Sequence, residues 1–240
     1  MCTVTYLPQQ DGFFLTSNRD EKNTRKKALL PKTYNSKNKK FIFPKDADAG
    51  GTWIVLKENK DALCLLNGAF ENFEDKGNYT TSRGKIVLDI ADTENMLATF
   101  NNINLNTTAP FTLIMILDQS LIECRWDGAF KHLKQLDSKQ AYIWSSATLY
   151  DKNMQGKREQ WFKNWLMQKS SFNQADVISF HKNTGEANIE NDLVMNRDNK
   201  LFTVSVTSID VKDDNAYMYY NDIINNDSTT ARFEYEHQLS

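Results

Sequence analysis

The chain has few of the residues that metal sites, disulfide frameworks and nucleotide-binding loops require. Its 240 residues include three cysteines, three histidines, nine glycines and four prolines. The cysteines, Cys2, Cys64 and Cys124, are far apart and odd in number, which argues against disulfide pairs and Cys-x-x-Cys zinc sites. The histidines lack metal-ligand spacing, and no glycine-rich phosphate or dinucleotide motif occurs. We therefore expect no metal and no cofactor.

Long apolar runs and an excess of one charge are also missing. The chain has 29 basic against 31 acidic side chains, so no overall field attracts nucleic acid. No stretch approaches the roughly 20 apolar residues that span a bilayer, and the N-terminus lacks the basic and apolar regions of a signal peptide. These absences predict a cytoplasmic protein without a membrane span or a nucleic-acid partner, whose ligand is a small molecule.

The remaining composition is that of an ordinary globular protein. Hydrophobic residues make up 40% of the chain, which is enough for a sizeable core. We find no internal repeat, and the sequence predicts one domain over residues 1–240. Residues 22–45 are polar and rich in lysine, which predicts a long surface loop with at most a short strand at residues 41–43.

Apolar runs predict two groups of antiparallel strands separated by helices. The predicted strands cover residues 2–7, 13–17, 52–56, 62–66, 111–117, 121–126, 141–145, 201–210 and 216–221. Helical spacing begins at Ser82 and returns over about 151–168 and 173–180. This order of strand and helix blocks predicts an α+β fold with two sheets and the helices outside them.

Cys2 is the candidate centre of the chemistry. Methionine aminopeptidases remove Met1 before small residues, which would leave Cys2 with both a thiol and a free α-amine. Their reference pKa values are about 8.5 and about 8, so a nucleophile and a base would share one residue near neutral pH. The alternative is a small, buried, unreactive side chain.

The second predicted strand ends in the tetrad Asn-Arg-Asp-Glu at residues 18–21, which is too polar for a buried strand unless it lines a site. A three-residue turn ending at Gly12 would pair Cys2 with Asp20 and direct Arg19 away from it. A two-residue turn ending at Gly12 would instead direct Arg19 toward Cys2. Both registers are compatible with the sequence.

Four motifs occur in a shared order and spacing within about the first 70 residues. They are Met1-Cys2-Thr3, the tetrad at 18–21, Gly50-Gly51-Thr52-Trp53 and Leu66-Asn67-Gly68. In these motifs the chain resembles the Asn-Arg-Asp-Glu family, also called the transport-and-Golgi-organization family, and a fainter likeness continues at residues 144–146 and 203–207. That family is related to N-terminal-nucleophile (Ntn) hydrolases such as bile-salt hydrolases and penicillin acylases. The resemblance implies a four-layer αββα sandwich of two antiparallel sheets.

The resemblance also implies roles for individual residues. In the related amidases, a cysteine nucleophile acts with an aspartate near the end of the second strand and an asparagine beyond the fourth. These roles transfer to Cys2, Asp20 and Asn67, with Arg19 as a further catalytic candidate. An amide at Asn67 would donate to a developing oxyanion, which contributes about 3 kcal/mol when the donor is preorganised. The alternative for Asn67 is a turn asparagine.

Three further residues are candidates for substrate binding. Asn18 and Ser146 are polar and belong to motifs of the resemblance, and Trp53 is either a wall of the pocket or a core tryptophan. The chain departs from the related proteins at two positions. Ser17 stands where the amidases have arginine, and Ser146 stands where family members tend to have asparagine.

The sequence therefore predicts a cysteine Ntn hydrolase-like protein, an amidohydrolase or acyltransferase that acts on carbon–nitrogen bonds other than peptide bonds. The intact set of Cys2, Asp20 and Asn67 favours catalysis. The departures at Ser17 and Ser146 favour the alternative, a non-catalytic protein of the same fold that binds an acyl-CoA, a lipid or haem.

Overall fold

Two antiparallel sheets of seven strands each form the centre of the computed structural model, which describes residues 3–36, 39–74, 77–118, 120–213 and 215–233. Sheet A comprises β1 (Thr3–Gln9), β2 (Gly12–Lys22), β10 (Tyr142–Ser145), β11 (Asn196–Arg197), β12 (Leu201–Lys212), β13 (Asn215–Asp222) and β14 (Asp227–Arg232). Its main order is β10-β1-β2-β12-β13-β14, and β11 pairs with β12. Cys2 and Met1 lie outside the described residues.

Sheet B follows the chain in order from one edge to the other. Its strands are β3 (Leu29–Ser36), β4 (Lys39–Lys45), β5 (Ile54–Lys57), β6 (Ala62–Asn67), β7 (Phe111–Leu117), β8 (Ser120–Trp126) and β9 (Lys131–Leu136). The strands β5, β6 and β7 are almost wholly buried. This agrees with the predicted central strands, whose continuous apolar runs fit burial on both faces.

Within the described residues, four helices cover the outer faces of the sheets. The helix α1 (Arg83–Ala91) packs on β5 and β6 and is followed by α2 (Met96–Asn102), whereas α3 (Lys152–Leu166) and α4 (Gln174–Asn183) cover sheet A. The layer order is helix, sheet, sheet, helix, which confirms the predicted αββα sandwich. No helix within the described ranges is long and apolar enough to cross a membrane.

Alternate residues of β1 and β2 serve two separate cores. Tyr6 and Leu15 belong to the core between the sheets, whereas Leu7 and Phe14 pack under α3 and α4. Because successive side chains of a strand point to opposite faces, each strand of sheet A contributes to both layers. The face on which a polar residue of β2 lies therefore decides which layer it enters.

The lysine-rich segment is a hairpin, so the prediction of a long surface loop over residues 22–45 is wrong for most of its length. The strands β3 and β4 pair antiparallel at the edge of sheet B. Phe43 is buried, and its ring stacks on Tyr34 with centroids 4.0 Å apart. The lysines mark an edge strand, where charge protects against unwanted strand pairing, rather than a loop.

The register of the first hairpin differs from both predicted registers. The pairing closes with Gln9 opposite Gly12 and places Thr3 opposite Asn18, whereas a Cys2–Asp20 pair would require Thr3 opposite Arg19. Gly12 is the first residue of β2 instead of the last residue of the turn, and a Cβ there would lie 1.8 Å from the carbonyl oxygen of Val211 on β12. Glycine is needed at this position because β12 approaches too closely to leave room for a side chain.

Candidate active site

A cavity of about 510 Å³ opens between the two sheets, where β2 and β6 end. Its lining includes four of the predicted site residues, Arg19, Asp20, Trp53 and Asn67. Thr3, the first described residue of β1, pairs with β2 one position before Arg19, so β1 begins at the same edge of sheet A. The fold therefore brings together residues from three separate motifs of the sequence.

Arg19 lies on the inner face of β2, buried against sheet B. Its Nη2 donates to Asp46 Oδ2 at 2.7 Å and to Glu21 Oε2 at 3.3 Å, and its guanidinium carbon lies 4.6 Å from the ring centroid of Trp53. A cation over an indole face is attracted by the quadrupole of the ring. Trp53 is thus a buried side chain and a wall of the cavity at once.

Asp46 holds this arginine, although no motif of the sequence identified it. Burial acts to raise its pKa, but the N–H of Ala49, the nearby Arg25 and Arg19, and the N–H of Asp48 outweigh burial and hold the pKa below its ordinary value. Asp46 is therefore an anion near neutral pH and a fixed partner for Arg19. The sequence Asp-Ala-Asp at 46–48 carried a turn signal only.

Both carboxylate oxygens of Asp20 accept hydrogen bonds from buried hydroxyls. Thr203 Oγ1 donates to Oδ1 at 2.6 Å, and Tyr150 Oη donates to Oδ2 at 2.9 Å. A β-bulge in β12 between Thr203 and Ser205 interrupts the pairing with β2 beside this carboxylate, and such bulges often re-aim side chains next to active sites. Asp20 is consequently held in one orientation.

Asn18 points to the opposite face of β2, away from the cavity. Its Nδ2 donates to the carbonyls of His181 and Leu193 at 3.1 and 2.7 Å, and its Oδ1 contacts His181 Nδ1. Burial, and next the positive charge of Arg158, lower the pKa of His181 to about 3. The neutral ring donates from Nδ1 and accepts from Thr5 Oγ1 at Nε2, 2.7 Å away. Asn18 organises the layer under α4.

This neutral, buried histidine predicts a pH dependence of stability. The folded pKa of His181 is about 3 and the ordinary value is 6.5, so unfolding takes up a proton between these values and the free energy of unfolding falls as the pH decreases. We expect this residue to account for a loss of about 2 kcal/mol between pH 7 and pH 5. Urea denaturation of the wild type and His181→Gln at both pH values measures it. An equal loss in both proteins would contradict the assignment.

Asn67 ends β6 at the floor of the cavity. Its side-chain amide makes no hydrogen bond to any residue in the described ranges, whereas its carbonyl accepts from Ser146 Oγ at 2.8 Å. Gly68 follows with a φ of +81°, and a Cβ there would meet Ala147 at 3.1 Å. Ser146 is fully buried and fixes the backbone of Asn67 without lining the cavity. The Asn67 amide is available to a ligand.

The glycine pair Gly50-Gly51 before β5 allows close packing against the start of α1. Gly50 has a φ of +70°, and a Cβ at Gly51 would lie 2.3 Å from the carbonyl carbon of Gly84 in the first turn of α1. The N–H of Thr52 donates to the Gly84 carbonyl at 3.1 Å. Gly51 and Gly84 both line the cavity, so the glycines let the start of α1 close the site from the side of sheet B.

The two described cysteines are not nucleophiles. Cys64 and Cys124 are fully buried, and burial raises the pKa of each thiol to about 12. The Cys64 thiol also forms a hydrogen bond with Ser17 on the inner face of β2. Within the part of the chain that the structure describes, no group of three histidine, cysteine or acidic side chains is arranged to hold a metal ion.

Comparison with known proteins identifies the fold and the family. The family model described as Transport and Golgi organisation 2 matches residues 1–225. An N-acylethanolamine-hydrolyzing acid amidase ortholog from Caenorhabditis elegans superposes with a TM-score of 0.61 at 11% identity, over 87% of this chain and 92% of that chain.

Two variants of a conjugated bile acid hydrolase from Clostridium perfringens superpose with a TM-score of 0.54 at 10% identity. One covers 97% of this chain and 92% of its own, and the other covers 100% and 98%. No curated protein matches the sequence. The likeness to these amidases confirms the predicted fold.

Proposed function

Because the chain belongs to the Transport and Golgi organisation 2 family and has the fold of Ntn amidases, we propose that it is a cysteine Ntn amidohydrolase or acyltransferase. The observation that supports this most is the cavity where Arg19, Asp20, Trp53 and Asn67 meet. Cys2 is the proposed nucleophile, since it directly precedes Thr3 at the start of β1. Its proposed substrate is a small-molecule amide other than a peptide.

The proposed reaction starts from the mature chain, in which Met1 has been removed. The α-amine of Cys2 takes the proton of the thiol, and the thiolate attacks the carbonyl carbon of the amide. The tetrahedral intermediate collapses to a thioester as the carbon–nitrogen bond breaks, and the ammonium gives its proton to the leaving amine. Water or a second nucleophile then takes the acyl group. A reducing compartment such as the cytoplasm would keep the thiol available.

The other residues have proposed roles that follow from their contacts. The Asn67 amide, which has no described protein partner, donates to the oxyanion. Asp20, held by two hydroxyl donors, accepts from and orients the α-ammonium. Arg19 is already paired with Asp46, so it shapes the cavity and directs remaining N–H groups at the substrate. Asn18 contacts the layer under α4 instead of the substrate, and Ser146 supports the backbone of Asn67.

Intact mass spectrometry before and after treatment with iodoacetamide tests this proposal. We expect a mass that lacks Met1 and a single added label, which peptide analysis places on Cys2 because the other two thiols are buried with raised pKa values. A mass that retains Met1 would remove the proposed base. A chain that takes up no label at Cys2 under native conditions would contradict a thiolate nucleophile.

A second candidate function, ligand binding without turnover, is favoured by a pocket of about 210 Å³ beside the main cavity. Its charged lining has five cationic and two anionic side chains, and its floor is formed by apolar side chains. The two pockets share Arg19, Glu21, Lys22 and Arg25. Such a pocket suits a ligand with an apolar chain and a negative charge, as in an acyl-CoA or an anionic lipid.

Haem fits these pockets less well. The described residues that line either pocket include no histidine, cysteine or methionine, and Tyr220 is the one residue among them of a type that binds haem iron. Titration with a fluorescent long-chain acyl-CoA decides between binding and turnover. Saturable binding that leaves the acyl-CoA intact, together with an unlabelled Cys2, would favour the binder. Release of free CoA or an acylated Cys2 would favour the enzyme.

A further inference from the structure

Arg158 is the largest fully buried side chain in the part of the chain that the structure describes. It lies on α3, on the side that faces sheet A, and no motif of the sequence identified it. Within the described ranges, no carboxylate forms an ion pair with it. Because burial of a charge without a counter-ion costs several kcal/mol, the surrounding contacts have to compensate it.

The guanidinium ties the start of β1 to the segment after α4. Its Nη1 donates to Thr3 Oγ1, and its Nη2 donates to the carbonyls of Asn191 and Asp192 at 2.9 Å each. Its Nε is buried and has no acceptor among the described residues. Thr3 directly follows Cys2, so Arg158 holds the side chain of the residue next to the proposed nucleophile.

The same guanidinium also contacts the residue that holds Asp20. Its carbon lies 3.5 Å from the ring centroid of Tyr150, whose hydroxyl donates to Asp20. The ring and the cation attract each other, and the stacking fixes the plane of the phenol. Arg158 is therefore linked to Asp20 through Tyr150, and it contacts Thr3, the residue that follows Cys2 in the sequence.

We propose that Arg158 is a positioning residue of the Cys2 site, which fixes Thr3 and Tyr150 and supplies a buried positive charge that favours the thiolate of Cys2. This inference rests on the proposed function. A nearby cation stabilises an anion, and Cys2 is bonded directly to Thr3, whose hydroxyl accepts from Arg158. The same charge contributes to the lowered pKa of the neighbouring His181.

The pH profile of alkylation tests the proposal, because a purely structural role would not move it. The ionisable groups that contact Arg158 or lie next to its contacts are Tyr150, Arg197, Asp20, His181 and Asp192, and they stay unchanged in every variant. The rate of Cys2 labelling by iodoacetamide is measured against pH in the full-length chain. In Arg158→Gln we expect the midpoint to rise by about one pH unit and the rate below the midpoint to fall about tenfold.

Two matched variants separate charge from geometry. Arg158→Lys keeps the charge and is expected to keep the midpoint of the wild type. Lys157→Gln removes the same charge from the adjacent position of α3, where the side chain is exposed and pairs with Glu186. It is expected to leave the profile unchanged. If Arg158→Gln does not fold, Thr3→Val removes only the acceptor on β1 and is expected to slow labelling at least threefold.

The outcomes distinguish this inference from the proposed function. A wild type labelled at Cys2, with a folded Arg158→Gln that has the same midpoint, would overturn the role of Arg158 alone. A Thr3→Val chain that reacts at the rate of the wild type would also overturn it. A wild type in which Cys2 is unreactive at every pH would overturn the proposed function and, with it, the inference.

Discussion

Replacement of Cys2 with alanine is expected to abolish turnover of amide substrates. Loss of the nucleophile leaves only binding and the oxyanion donors, and such losses reduce kcat by at least about a thousandfold. A suitable probe is a panel of N-acyl aminomethylcoumarin amides with short, medium and long acyl chains, because cleavage releases a fluorescent amine. We expect the wild type to hydrolyse at least one of them and Cys2→Ala to hydrolyse none.

Cys124→Ala is the matched control for this prediction. Cys124 is fully buried in β8, so its truncation is expected to lower the free energy of unfolding by about 1 kcal/mol and to leave turnover intact. A Cys2→Ala chain that cleaves the coumarin amides at the rate of the wild type would rule out the proposed mechanism. Equal losses of turnover in the two variants would point to instability.

Replacement of Asn67 with alanine is expected to reduce kcat by about a hundredfold to a thousandfold, with little change in KM. Its amide lines the cavity and makes no hydrogen bond within the described ranges, as expected of a donor that is reserved for charge developing in the transition state. Steady-state kinetics on the coumarin amide that the wild type hydrolyses fastest measure both constants.

The control for Asn67 is Asn72→Ala, which makes the same change in the loop that follows β6, where the Asn72 side chain accepts from the N–H of Phe73. We expect kcat to stay at the value of the wild type. A lower melting temperature in Asn67→Ala with an unchanged kcat would favour the turn-asparagine interpretation. Such a result would indicate that other hydrogen-bond donors stabilise the oxyanion.

The sequence predicted the central strands of both sheets and the edge strand β10, but it missed the edge strands β3, β9 and β14. Buried strands such as β6 and β7 are continuous apolar runs, so hydrophobicity alone identifies them. The exposed strands β9 and β14 lack that pattern. They form strands because a neighbouring strand provides hydrogen-bonding partners for their backbone. The local sequence contains no information about that neighbour.

The register of the first hairpin shows how one residue decides a site. The sequence offered Gly12 as a turn residue, which is the ordinary role of a glycine after an aspartate. The structure uses it as a strand residue beside Val211, about two hundred positions later in the chain. Relative to the register of the three-residue turn, the pairing is shifted by one position, so that Asn18 instead of Arg19 lies opposite Thr3. Because successive side chains alternate between the faces, Arg19 lines the cavity and Asn18 does not.

Three residues that shape the site were missed for the same reason. Tyr150 reaches Asp20 across 130 positions, and Arg158 reaches Thr3 across 155. Asp46 has the local sequence of a turn residue, and only its ion pair with Arg19 shows that it belongs to the site. Each residue has an ordinary local sequence around it, and its role exists only through a partner on another element.

The sequence by itself determined the fold class, the resemblance to the family and the placement of Cys2 beside a potential α-amine, because apolar periodicity and short motifs are local properties of the chain. It also identified the residues Arg19, Asp20, Trp53 and Asn67 that meet in the cavity. Only the tertiary structure decided which face each residue of β2 occupies and which buried cation contacts Thr3 and Tyr150. Strand register and burial depend on close contacts between distant segments, and no local pattern encodes those distances.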